Sequence, residues 1–230
     1  MFKLILTIFF ISSVIDAQNQ SYSNSQADND TISNYYLFEY IDSLTPEDYE
    51  LMLDSIKNGL SDDFFTLRMA YTKTEFYSPY DTEIGDEHKR IRDYINESNY
   101  SKALTITDSV LFKNYVDINS HLYRGFIYYQ LADSTKSDFH YDIYNGLLES
   151  IYMSGDGNTP RTAYLVINTK EEYNFLDWFN LIPDQQELIT EDNFAFDLIH
   201  TTQQENNQKF DVYFNITMAI NHLSKNLEKD

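Results

Sequence analysis

Apolar positions recur at helical spacing along much of this chain. In its middle, Phe139, Ile143, Leu147 and Ile151 form one stripe and His140, Tyr144, Leu148 and Tyr152 a second beside it. Asp142, Asn145 and Glu149 fall on the opposite side. That arrangement predicts an amphipathic helix with a broad buried face. The periodicity stops at Ser154-Gly155-Asp156-Gly157, where two glycines tolerate positive φ around an aspartate. It resumes as Thr162–Ile167, rich in β-branched and aromatic residues, which predicts a strand.

Upstream, the aromatic cluster Tyr35, Tyr36, Phe38 and Tyr40 predicts a short docked helix over Asn34–Leu44. Thr45-Pro46-Glu47-Asp48 is a helix start: Thr45 caps, Pro46 suits the first helical position, and the two acids complement the positive dipole end. Tyr49, Leu51, Met52 and Ile56 make its buried face and Gly59 its stop. A second helix runs over Asp62–Thr72, and Tyr77-Ser78-Pro79-Tyr80 breaks the pattern. The tyrosines gathered here, Tyr71, Tyr77 and Tyr80 with Phe76, either line a groove or pack between helices.

Asp86–Ile151 carries an internal repeat of about 34 residues. At that interval Ile91 superposes on Gly125, Tyr94 on Tyr128, Ala103 on Ser137 and Val110 on Tyr144. The repeat resembles a tetratricopeptide array, with helices at Asp86–Glu97, Tyr100–Phe112, Ile118–Leu131 and Thr135–Tyr152. Arg90 and Thr107 depart from the apolar pattern, and two repeats are too few for a free-standing solenoid, so they must lean on flanking elements.

Lys170–Asn180 reads as a helix ended by Pro183. Phe194–Thr201 and Phe210–Thr217 read as strands joined by the polar loop Thr202–Lys209, with Asp197, Ile199 and Thr201 sharing a face. A polar helix or tail follows over 218–230. The predicted fold is α+β: tetratricopeptide-like antiparallel helix pairs, then a small antiparallel β-sheet with one helix. One globular domain spans 34–217, helical to residue 152 and mixed from 158.

Composition adds an address and several exclusions. Met1–Ala17, with Lys3 and the apolar run Leu4–Ile11, reads as an export signal, and 18–33 as a disordered polar leader. The apolar run is too short to span a bilayer, which takes about 20 residues. A periplasmic or secreted protein without membrane insertion after signal removal is therefore expected. The net charge of −21 argues against nucleic-acid binding. The chain has no cysteine, which excludes disulfides, thiolate metal sites and cysteine nucleophiles. No catalytic-serine elbow, zinc-protease or dinucleotide motif occurs, and no cofactor is expected.

Candidate chemistry is correspondingly sparse. His140 and Asp142 point roughly 200° apart on a helix, so together they make a poor metal pair, and His140 reads as a packed histidine. Asp156 sits in its turn as a ligand-loop carboxylate or as turn chemistry alone. Glu172, facing that turn, would supply a second carboxylate for acid–base work or a cation; a salt bridge to Arg161 or a capping role is the plainer account. Tyr77 and Tyr80 are candidates for an aromatic binding groove. The expected function is a protein- or peptide-interaction module, with a small-ligand binder or hydrolase using His140, Asp156 and Glu172 as the alternative. The oligomeric state is left open.

Several pieces also carry a resemblance. They are Leu44-Thr45-Pro46-Glu47-Asp48-Tyr49, Tyr77-Ser78-Pro79-Tyr80, His140 with Gly146-Leu147-Leu148 and Ile151, Ser154-Gly155-Asp156-Gly157, Thr162-Ala163-Tyr164 with Val166-Ile167, Glu171-Glu172-Tyr173 and Tyr213-Phe214-Asn215-Ile216. In order and spacing the chain resembles an exported Bacteroidetes family called domain of unknown function 4919. The resemblance implies an exported address and an architecture, and no chemistry. The loop after Pro183, which in relatives leads into the last hairpin, is more acidic here, with Asp184, Glu187, Glu191 and Asp192.

Overall fold

Helix starts in this chain are written by short polar side chains. Thr45 accepts from the Asp48 amide while Asp48 Oδ2 accepts from the Thr45 amide at 2.9 Å, a reciprocal capping box. Asp63, Asp117, Asp133 and Asn168 each accept from an amide three residues on. The computed structural model describes residues 34–191 and 193–227. The export signal and polar leader of 1–33 lie outside the described residues, as does the end of the tail.

The helical part runs α1 (Asn34–Ser43), α2 (Pro46–Lys57), α3 (Phe64–Tyr71), α4 (Glu83–Asn96), α5 (Tyr100–Lys113), α6 (Ile118–Gln130) and α7 (Ser134–Tyr152), with α2, α3, α6 and α7 opened by these caps. A 3₁₀ turn at Pro160–Thr162 leads to β1 (Tyr164–Leu165), followed by α8 (Thr169–Trp178), β2 (Leu181–Glu191), β3 (Phe194–Gln203), β4 (Lys209–Asn215) and α9 (Thr217–Leu227). The fold is α+β, as expected, and helices make up most of the described residues.

The two helix pairs α4–α5 and α6–α7 close alike. Ser98 and Ala132, one repeat interval apart, both adopt positive φ (57° and 58°). Behind them the Asn99 amide donates to Tyr94 O at 2.8 Å, and the Asp133 amide to Tyr128 O at 2.9 Å. This is the same helix-terminating turn used twice. Small residues bring α6 and α7 close: Ser137 Oγ donates to Gly125 O at 3.0 Å, and a Cβ on Gly125 would stand 3.0 Å from the Tyr141 ring. The pairs share a small core of Ile91, Ala103, Ile106, Val110 and Ile127, separate from the main one.

The sheet has the order β1-β4-β3-β2. It is mixed, not wholly antiparallel as the sequence suggested. β1 runs parallel to β4 through Tyr164↔Phe214 and Leu165↔Asn215, because the two are not joined by a hairpin: α8, β2 and β3 intervene before the chain comes back beside β1. A second correction concerns the acidic loop, which is a strand. Trp178, not Pro183, ends α8; Asn180 turns the chain at φ 54°, and Pro183 sits in edge strand β2 beside a bulge at Pro183/Gln185. An edge strand tolerates proline because its outward amide has no ladder partner.

The main core gathers α1–α3, α7, α8 and the sheet. At its centre lies Arg68, fully buried. Its Nε and Nη2 hold the two oxygens of Glu171 at 2.9 and 2.6 Å, and it also donates to Ser150 Oγ and Leu165 O. Glu171 Oε2 further accepts from the Ile167 amide at 2.9 Å. One ion pair thus ties α3, α7, β1 and α8 together.

Candidate functional site

Of the residues singled out in the sequence, Glu172 and Tyr80 come together, while His140 and Asp156 have other partners. Glu172 projects from the first turn of α8 into a sealed space beside Asp197 of β3. Neither Glu172 oxygen meets a hydrogen-bond donor among the described residues, and the group that acts on it most strongly is the Asp197 carboxyl. Two carboxyls can bond to each other only by sharing a proton. Burial, then the charge of Asp197, pushes Glu172 up to about 9, so Glu172 carries that proton. Asp197 accepts it and also accepts from Gln186 Nε2 at 2.6 Å, while Gln186 Oε1 accepts from Tyr173 at 3.1 Å. Tyr80, 41% exposed, lies within electrostatic reach of both acids.

Tyr77 belongs to the core. Its hydroxyl donates to Ile167 O at 2.6 Å, and its ring meets Tyr71 and His222 edge-on. Asp156 is exposed and accepts from the Asn158 amide at 3.0 Å. The Asp156 and Gly157 amides both donate to Thr162 O, at 2.9 and 2.8 Å, which folds the turn onto itself. A Cβ on Gly155 would come within 2.4 Å of that same carbonyl oxygen, so glycine is a steric requirement here.

His140 stands in a polar chain whose proton positions follow from its ends. Arg124 Nε only donates, so His140 Nε2, at 3.0 Å, accepts. The His140 proton is therefore on Nδ1 and goes to His121 Nδ1 at 3.1 Å. The His121 proton is then on Nε2, facing Tyr115 O at 2.8 Å. Burial holds both rings neutral, bringing His121 down to about 4 and His140 to about 3. Arg124 is paired with Asp108 at the outer end. Both His140 ring nitrogens are thus engaged, and the chain braces α5, α6 and α7. Among the described residues no group of three or more histidine and carboxylate side chains is placed to hold a metal ion.

A groove of about 930 Å³ opens elsewhere, between the turn joining α2 to α3 and the outer side of α7. Phe64, Ile143 and Gly146 line it. Gly146 lets the Phe64 ring lie on α7, since a Cβ there would stand 2.2 Å from that ring. Leu60 (79% exposed) and Met153 (80%) rise at the rim. Asp62, Asp63, Asp142 and Glu149 also line the groove, without a lysine or arginine among its walls. None of the four is ion-paired with another described residue. The sequence marked Asp142 and Glu149 as a solvent face and Gly59 as a helix stop. That the two meet is a long-range fact.

Among the described residues no helix is long and apolar enough to cross a membrane. No curated protein and no solved structure matches the chain. A family profile, Domain of unknown function (DUF4919), matches residues 25–225, which covers every described element except the end of α9. The chain therefore belongs to the family described as Domain of unknown function (DUF4919).

Proposed function

We propose that this protein is a peptide-interaction module of the cell envelope, exported by the segment Met1–Ala17, whose groove against α7 receives a basic segment bearing apolar side chains. The observation that carries the reading is the groove lining: apolar residues beneath four carboxylates without a compensating cation. Such a lining disfavours acidic or wholly polar ligands and rewards a cation next to an apolar anchor. The tetratricopeptide-like helix pairs fit the role as a brace, since α7, the last repeat helix, forms one wall of the groove. The peptide surface thus lies on α7 and the α2–α3 turn, away from the core tyrosine Tyr77.

The alternative hydrolytic reading rests on Glu172, with Asp197 replacing His140 and Asp156 as its partner. Glu172 is wholly buried and Asp197 nearly so, which favours a proton-sharing brace over a site reached by substrate.

Titration calorimetry with an amphipathic Lys/Leu peptide tests the proposal. Binding should weaken by about tenfold or more in Asp142→Lys/Glu149→Lys, and should weaken as salt rises. An all-lysine peptide binding equally well, or a double variant binding as the parent does, would sink it.

A further inference from the structure

The outer edge of β2 is the second surface with unused recognition chemistry, and it stands apart from the groove. β2 is paired on one side only, with β3. Along Gln185–Glu191 alternate amides and carbonyls therefore point away from the sheet, and no backbone bond to them occurs among the described residues. Sheets normally guard such an edge by shortness, proline, a bulge or lysine. The opposite edge, β1, is two residues long. In β2 the proline and the bulge occupy only the start, leaving a regular run from Gln185 onward.

That run is also held in place from both faces. On one face Gln186 donates to Asp197 at 2.6 Å and accepts from Tyr173. On the other Glu187 faces His200 Nε2 at 3.3 Å, and His200 Nδ1 meets Asp211 at 2.7 Å. A strand already fixed in place loses little entropy when another is added.

The side chains define the partner. The register puts Glu187, Ile189 and Glu191 on the His200 face, and Gln186, Leu188 and Thr190 on the Asp197 face. Leu188 is 62% exposed. Leu181–Glu191 contains no lysine or arginine, and the whole chain carries −21. A second copy is therefore repelled, while a cationic strand is attracted.

We infer that the free edge of β2 along Gln185–Glu191 is a docking site for an extended segment of a basic partner protein, with Lys or Arg and apolar residues in alternation. The cations lie beside Glu187 and Glu191, the apolar side chains cover Leu188, and the added backbone completes the ladder. This surface is independent of the groove against α7.

The full chain is titrated with a peptide of alternating lysine and valine. Controls are the same composition in blocks and the alternating peptide N-methylated at every second amide. Amide exchange should slow at alternate residues of Gln185–Glu191. Affinity should fall by about tenfold or more for either control, because N-methylation removes edge hydrogen bonds and the block order takes lysine from Glu187 and Glu191 or valine from Leu188. Glu187→Lys/Glu191→Lys should weaken binding similarly, whereas the equal charge reversal Glu50→Lys/Glu97→Lys, at exposed positions outside both surfaces, should leave it unchanged. Equal binding of the N-methylated peptide to the parent chain, protection confined to other residues, or self-association through β2 overturns the inference.

Discussion

Two neighbouring glutamates of α8 illustrate opposite ways to bury a carboxylate. Glu171 is matched by Arg68 and is fully hydrogen-bonded. Arg68→Met should therefore cost about 3–5 kcal/mol by stranding a buried charge, while Arg68→Met/Glu171→Leu recovers most of it. Urea unfolding distinguishes these, and a double variant as unstable as the single would contradict the pairing. Glu172 is matched by a shared proton instead. Its folded pKa of about 9 lies above its ordinary value of 4.5, so the folded state holds a proton that the unfolded chain releases. The resulting stability is complete below about 4.5 and is lost as pH rises towards 9. Glu172→Gln should accordingly match the parent near pH 5 and gain on it steadily up to pH 9; parallel pH profiles would refute the shared proton.

The histidine chain acts in the other direction. His121 and His140 titrate below the ordinary 6.5 because burial keeps them neutral. Their contribution is present above 6.5 and declines as pH falls towards 4, because the unfolded chain takes up the protons first. At this scale the sequence was informative about which residues to watch and silent about their partners. Glu172 stood out, but Asp197 reaches it only through packing of α8 on the sheet. Arg68, between Leu67 and Met69, had no local feature to mark it as buried.

At the scale of elements, caps and periodicity made the helices legible to within a few residues. Ser98 and Ala132 extend that regularity to the turns, and each pays for a left-handed backbone without being glycine. Ala132 is exposed, so nothing but φ opposes a change there. Ala132→Gly should stabilise the fold by up to about 1 kcal/mol in thermal unfolding. Destabilisation of that size, the usual result of an added glycine, would mean the turn is not under this strain. β2 escaped the sequence reading for a physical reason. Nearly all of it is exposed on both faces, so Pro183-Asp184-Gln185-Gln186-Glu187 lacks the alternation that marks a half-buried strand. The Gly155–Gly157 junction was legible as a turn, and its contact with the Thr162 carbonyl explains why glycine is needed.

Across the whole molecule the helical and sheet halves divide the work. The sheet and α8 complete the main core around Arg68, and the helix pairs brace α7, whose outer side faces the groove. A net charge of −21 makes the surface acidic on average. Generic attraction of a cation is therefore expected everywhere, and the account requires that attraction to be focused by apolar lining. Chemical-shift mapping of the full chain with the amphipathic Lys/Leu peptide separates the two most directly. The account predicts shifts concentrated at Phe64, Asp142, Gly146 and Met153, saturating with a single affinity. Small shifts spread over the acidic surface without saturation would contradict it.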